Sequence, residues 1–256
     1  MSVFLSVAVF TLLYMTLWFL ISLLLKRNDI ADIAWGLGFI FICGYLNFLG
    51  YRSNHFYLVA ILTTLWGIRL AAHIFLRMRS KKEDFRYKKW REEWGKSVLL
   101  RSYFQVFILQ GTFMYLISFS AIISALNTSS NLTPLSFLGV IIWCIGFYFE
   151  AVGDLQLKRF ISKSSNKGRI MTEGLWRYTR HPNYFGEVVQ WWGIFFTVVC
   201  LPLGIVALVS PLTISFLILK VSGIPMLEKK YGGKQEFNKY KENTNAFFPW
   251  FPRNVT

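Results

Sequence analysis

Seven mainly apolar stretches run through this chain: Val3 to Leu25, Ile30 to Leu49, Tyr57 to Leu76, Tyr103 to Leu126, Leu135 to Leu157, Tyr184 to Leu201 and Leu203 to Leu219. A helix crosses the hydrocarbon core of a bilayer with roughly 20 such residues. Lipid offers no partner to a backbone N–H or C=O, so each stretch must satisfy its own by coiling into a helix. The expected fold class is therefore all-α: a polytopic membrane protein, a bundle of about seven transmembrane helices. Composition agrees, with 54% hydrophobic and only 16% charged residues, where a soluble domain carries about 25% charged. Lys26 and Arg27 follow the first stretch and no basic residue precedes it, a pattern unlike a cleaved signal peptide.

The charge then sets an orientation. The net charge is +15, yet all but two of the 28 Lys and Arg fall in the segments after stretches one, three, five and seven. The exceptions are Arg52, on the opposite side, and Arg69, inside stretch three. By the positive-inside rule the basic side is cytoplasmic, with the N-terminus out and the C-terminus in. The positive charge thus reads as topology, and no nucleic-acid partner is expected. A bacterial inner membrane or the endoplasmic reticulum would both suit.

Cys43, Cys144 and Cys200 lie far apart in apolar runs, which suits helix packing and excludes a disulfide framework or a metal site. The basic segment RSKKEDFRYKKWREEWGKS, Arg79 to Ser97, places Tyr87, Trp90 and Trp94 on one helical face. That spacing predicts an amphipathic helix lying in the headgroup region, with a cytosolic flap that touches an anionic cofactor as the alternative. No second domain is evident. Residues 1–256 read as one helical domain, 1–100 holding the basic interfacial segment and 101–256 the later helices.

Polar side chains inside a bilayer are costly, about 2.5–3.5 kcal/mol each even on insertion scales. Stretch two opens on Asp29, read as a helix cap, and the deeper Asp32. Arg69 and His73 stack four apart on stretch three. Glu150, Asp154 and Lys158 form a stripe on stretch five, as do Asn183, Glu187 and Gln190 on stretch six; Gln105 and Gln110 lie in stretch four. With helices alternating in direction, most of these groups fall toward the cytoplasmic leaflet. A polar cavity open to the cytosol is expected, reached from the bilayer by a hydrophobic small molecule or membrane lipid.

The most specific string is GLWRYTRHPNYFGE, Gly174 to Glu187, followed by Trp191. Pro182 suits the first turn of a helix, where its missing N–H would have no partner. Arg177, Arg180 and His181 crowd that helix N-terminus, whose free amides already favour anions, so a phosphate-bearing ligand fits. No Rossmann or P-loop glycine pattern is present.

This string, with ADIAWG at Ala31 to Gly36, WGIRLAAHI at Trp66 to Ile74, EAVGDLQLKRF at Glu150 to Phe160, LEKKY at Leu227 to Tyr231 and FFPWFP at Phe247 to Pro252, resembles the membrane proteins grouped with the steroid 5α-reductase C-terminal domain. The likeness spans nearly the whole chain and extends, more distantly, to sterol reductases and isoprenylcysteine carboxyl methyltransferases. It implies a seven-helix bundle that takes NADPH from the cytosol and reduces a carbon–carbon double bond conjugated to a carbonyl. By the same resemblance Asp154, Asn183, Glu187 and Trp191 match cofactor-binding positions, with Arg180, His181 and Tyr184 in the same motif.

Two positions depart from the reductases. They carry Asn where this chain has Glu150, and a Gln-Glu pair on the second helix with a Tyr on the third. Here the nearest carbonyl-activating groups are Asp32, protonated in an apolar setting, or His73, with Arg69 orienting the acid. A rival expectation is an S-adenosylmethionine-dependent methyltransferase; against it, Glu228 is followed by Lys229 where those enzymes show two adjacent acids. A lipid-binding or transport protein is a third, weakened by the absence of internal repeats.

Overall fold

The computed structural model describes residues 2–79, 83–128 and 131–253; Ser80, Lys81 and Lys82 of the basic segment lie outside the described residues. Among the described residues the regular structure is helical throughout, with no strand. Among these residues five helices are long and apolar enough to cross a membrane: α1 (Val3–Leu25), α2 (Ala31–Phe48), α3 (Asn54–Met78), a long helix Pro134–Ser162, and Gly204–Lys229. Counting the bent pair Phe85–Ile117 and Phe119–Leu126 as one crossing gives six. The bent pair comprises α4 (Phe85–Trp94), the single turn α5 (Val98–Arg101), a π-helical stretch Ser102–Ile108, α6 (Leu109–Ile117) and α7 (Phe119–Leu126). Then come α8 (Pro134–Ser162), α9 (Pro182–Val198), α10 (Val209–Phe216), a second π-helical stretch Leu217–Val221, α11 (Ile224–Tyr231) and α12 (Gln235–Asn243). The sixth expected stretch is α9, whose 17 residues span about 26 Å, slightly less than a hydrocarbon core of about 30 Å.

The chain forms two compact units. One holds Met1–Thr133 with Val198–Ser210, the other Pro134–Thr197 with Pro211–Thr256.

In the first unit, Ser2 and Ser53 cap α1 and α3 by accepting from Leu5 N and Phe56 N. Asp29 does not cap α2, contrary to expectation. Ile30 occupies that position without a side-chain bond, and the Asp29 carboxylate is turned to Arg27. On α1 the large side chains Leu13, Leu17, Leu20 and Leu24 are exposed, the surface a lipid tail would cover. α2 and α3 meet backbone to backbone. A Cβ built on Gly67 would stand 2.6 Å from the Gly36 carbonyl oxygen, so only hydrogen fits there. Phe39, Ile42, Leu46, Trp66, Phe107 and Met114 fill the interior. The 42° bend falls at Ser118, whose hydroxyl donates back to Met114 O at 2.8 Å, a contact that bends helices. Past the bend, Ser120 N and its hydroxyl both reach Ser210 Oγ at 3.0 Å. A tight turn falls at Pro202, with Leu203 in the left-handed region at φ 61° and Gly204 N bonded to Leu201 O.

In the second unit a glycine seam joins α8 to α9. Gly139, Gly146 and Gly153 recur every seven residues, two turns, so they share one face of α8. A Cβ on Gly139 or Gly146 would lie 2.6 Å from the carbonyl oxygen of Gly193 or Gly186; one on Gly153 would press on Pro182 at 3.2 Å. Close backbone approach replaces the hydrophobic drive that lipid removes. It also sets Glu150 and Asp154 of α8 against α9. Beyond α12, residues 244–253 fold back along the segment 176–180.

Candidate active site

The seam sets the first polar cluster. Glu150 and Asp154 sit one turn apart on α8, each next to a close-contact glycine or one turn from it, and face α9. Asn183 Nδ2 donates to Asp154 Oδ1 at 3.1 Å, and Gln190 Nε2 to Glu150 Oε2 at 2.5 Å. Glu150 and Asp154 are both buried. Of the expected stripe, Lys158 alone is exposed, because it lies past the last glycine contact near the end of α8.

The strand of chain entering α9 is braced from two sides. On the α8 side, Trp176 Nε1 donates to Gly153 O at 3.0 Å and Leu175 N to Gln156 Oε1 at 2.9 Å. Gly174, at φ 61°, makes the turn that brings Leu175 there. On the other side the C-terminal segment supplies the partners. Tyr240 OH donates to Trp176 O, Arg180 N to Asn245 O, and Thr179 Oγ1 to Phe247 O. Arg180, only 7% exposed, is fully engaged: Nε and Nη2 donate to Glu228 Oε1 at 2.9 and 2.6 Å, and Nη1 to the carbonyls of Lys241 and Thr244. The structure therefore gives Arg180 a role in holding the C-terminal segment to the motif. Arg177 is exposed and remains the motif's accessible cation.

His181 Nε2 lies 3.4 Å from Glu228 Oε1, and its ring stacks on Tyr184 at 5.6 Å between centroids. Three buried atoms in this cluster have no hydrogen-bond partner among the described residues: His181 Nδ1, Asn183 Oδ1 and Gln190 Oε1. Leaving such groups unmet costs about 1–3 kcal/mol each. Two are oxygen acceptors, and the histidine nitrogen is a third when Nε2–H faces Glu228. They suit a ligand rich in hydroxyl and amide hydrogens. Glu187 is half-buried and Trp191 buried on the same helix. No group of three or more His, Cys, Asp or Glu among the described residues is placed to hold a metal ion.

The second cluster is built around Asp32. Its Oδ1 accepts from Tyr87 OH at 2.6 Å and its Oδ2 from Arg86 Nη2 at 3.0 Å. Gln110 Nε2 donates to the Tyr87 hydroxyl at 3.1 Å. This corrects two expectations. Asp32 is not alone in an apolar setting but paired with a guanidinium. Tyr87 is not a headgroup residue; it is 3% exposed, though its ring still meets Trp90 edge-on at 5.4 Å. The sequence shows an aromatic stripe among Lys and Arg, and nothing in the spacing marks Tyr87 as the partner of a residue 55 positions earlier.

A ring of ion pairs seats α4. Arg27 grips Asp29 through Nε and Nη2 at 2.7 and 2.8 Å, and Asp29 Oδ2 accepts from Asp84 N at 2.9 Å. Glu83 accepts from Asn28 N and from Arg91, both at 2.8 Å. Arg69 and His73 stand half-buried on α3, and Gln105 is exposed. Gln105 leaves the expected polar face because it sits in the π-helical stretch, whose wider turns shift the register of the helix.

Long lipid-facing helices with two buried polar clusters define a multi-pass helical membrane protein. The chain belongs to the family described as protein of unknown function DUF1295, whose model matches residues 18–244. No curated protein and no solved structure matches it.

Proposed function

We propose that this protein is an NADPH-dependent membrane reductase that saturates a carbon–carbon double bond conjugated to a carbonyl in a hydrophobic, steroid-like or lipid substrate. On this reading α9 and Gly204–Lys229 are the sixth and seventh crossings. The N-terminus is outside, and the clusters are served from the cytoplasm, as the one-sided Lys and Arg distribution supports.

The observation that carries the reading is the Tyr87–Asp32–Arg86 arrangement, a phenol held by a carboxylate whose charge is already compensated. In such a reduction negative charge collects on the carbonyl oxygen, and a preorganised donor there lowers the barrier. Tyr87 is that donor: its O–H turns from Asp32 to the substrate oxygen, while Arg86 keeps Asp32 satisfied and Gln110 fixes the phenol oxygen. Asp154, Asn183, His181 and Gln190 hold the cofactor's hydroxyl and amide groups, and Arg177 and Lys158 meet its phosphates. When bound, NADPH supplies the hydride.

The test is titration of NADPH, and separately of S-adenosylmethionine, into the detergent-purified protein. Saturable enhancement of NADPH fluorescence, lost in Asp154→Ala/Asn183→Ala, is the expected result. Saturable S-adenosylmethionine binding without any response to NADPH would overturn the reductase in favour of a methyltransferase.

A further inference from the structure

We infer that the C-terminal run Phe247 to Arg253 is an interfacial membrane anchor, its partner the acyl–headgroup boundary of the leaflet on the basic side. Three large aromatics stand far out of the protein: Phe248 is 70%, Trp250 69% and Phe251 73% exposed. In water this exposed apolar patch is unfavourable; at a headgroup boundary Trp and aromatic side chains are at home.

The backbone is prepared for that environment. Pro249 and Pro252 have no N–H to lose, and Trp250 N and Arg253 N are already bonded to Tyr178 O and Asn243 O at 2.9 and 3.0 Å. Burying the run in the boundary therefore strands few polar groups. Charge agrees: no acidic residue lies between Glu242 and Arg253, and Arg253 is an exposed cation suited to anionic headgroups.

The run is also continuous with a surface that faces lipid. Phe248 meets Phe185 at 6.3 Å, and Phe185 meets Phe149 of α8 at 5.0 Å. Along α8 the exposed Ile141, Ile145 and Tyr148 continue the apolar face. Because Thr179 and Arg180 bond to residues 245–247, the anchor ties the leaflet directly to the motif that precedes α9. This inference depends on the membrane reading and not on the reductase reading.

The experiment places the intact protein and its Trp250→Phe variant in nanodiscs of phosphatidylcholine and phosphatidylserine, with and without bromine on the upper acyl carbons. The difference in emission between the two proteins isolates Trp250. Loss of that difference signal in brominated lipid, with protection from aqueous acrylamide, is expected. A signal indifferent to bromine and lost to acrylamide would overturn the anchor. So would shielding from both quenchers accompanied by an intermolecular crosslink, which would assign the patch to a second copy. Should Trp250→Phe fail to fold, Phe251→Trp compared with the intact protein gives the same readout from the added indole.

Discussion

The hydroxyl of Tyr87 lies 2.6 Å from Oδ1 of Asp32, a residue at the start of a different helix. That contact turns a basic, aromatic helix into part of a candidate catalytic centre. Tyr87→Phe removes the donor while leaving Asp32 paired to Arg86. Under the proposed function, turnover falls by about 10²- to 10⁴-fold with NADPH affinity unchanged. Single-turnover kinetics against fluorescence titration separates the two. Equal turnover in the variant removes Tyr87 from the chemistry.

Gly146 leaves no room for a methyl group, since a Cβ there would sit 2.6 Å from a carbonyl oxygen of α9. Gly146→Ala is expected to cost about 1–3 kcal/mol as α8 and α9 are pushed apart. Gly44, also helical, has nothing within 4 Å of its would-be Cβ. Gly44→Ala therefore stabilises by roughly 0.5–1 kcal/mol. Thermal denaturation of the two variants in one detergent, moving in opposite directions, checks the seam.

Arg180 serves three acceptor groups from a buried position, one of them the Glu228 carboxylate. Removing it leaves Glu228 only its longer contacts to His181 and Lys241 and frees two buried carbonyls, so Arg180→Ala is expected to cost about 1–3 kcal/mol. Arg180→Lys does not restore the fork geometry. Limited proteolysis gives the local readout: cleavage between α12 and Arg253 should accelerate in both variants before the helices themselves unfold.

Acid should loosen the seat of α4. Burial works to raise the Asp84 carboxyl, but the hydrogen bond and charge of Arg86 outweigh it and hold that carboxyl below its usual range. In the unfolded chain Asp titrates near about 3.9. The stabilisation is thus complete above that value and is lost as pH falls through the lower folded one. Asp84→Asn should flatten this acid limb in a series of melting curves. An unchanged acid limb would show that Asp84 does not contribute.

The sequence by itself determined the helical, membrane-embedded architecture, because apolar length and the distribution of Lys and Arg are local quantities. It also marked Glu150, Asp154 and Asn183, since a polar residue within an apolar run is conspicuous wherever the helix packs. Tertiary structure alone decided which of these groups meet. Glycines spaced by sevens set the axial alignment of α8 on α9 and hence the pairing of Asp154 with Asn183 and Glu150 with Gln190. The bend at Ser118, the π-helical register and the ion pairs around Asp29 belong to the same level, and these contacts bring together residues too far apart in sequence for spacing to pair. Arg180 and Tyr87 show the consequence. Each is one polar or aromatic residue among many in the sequence, and each acquires its role from a partner delivered by another part of the chain.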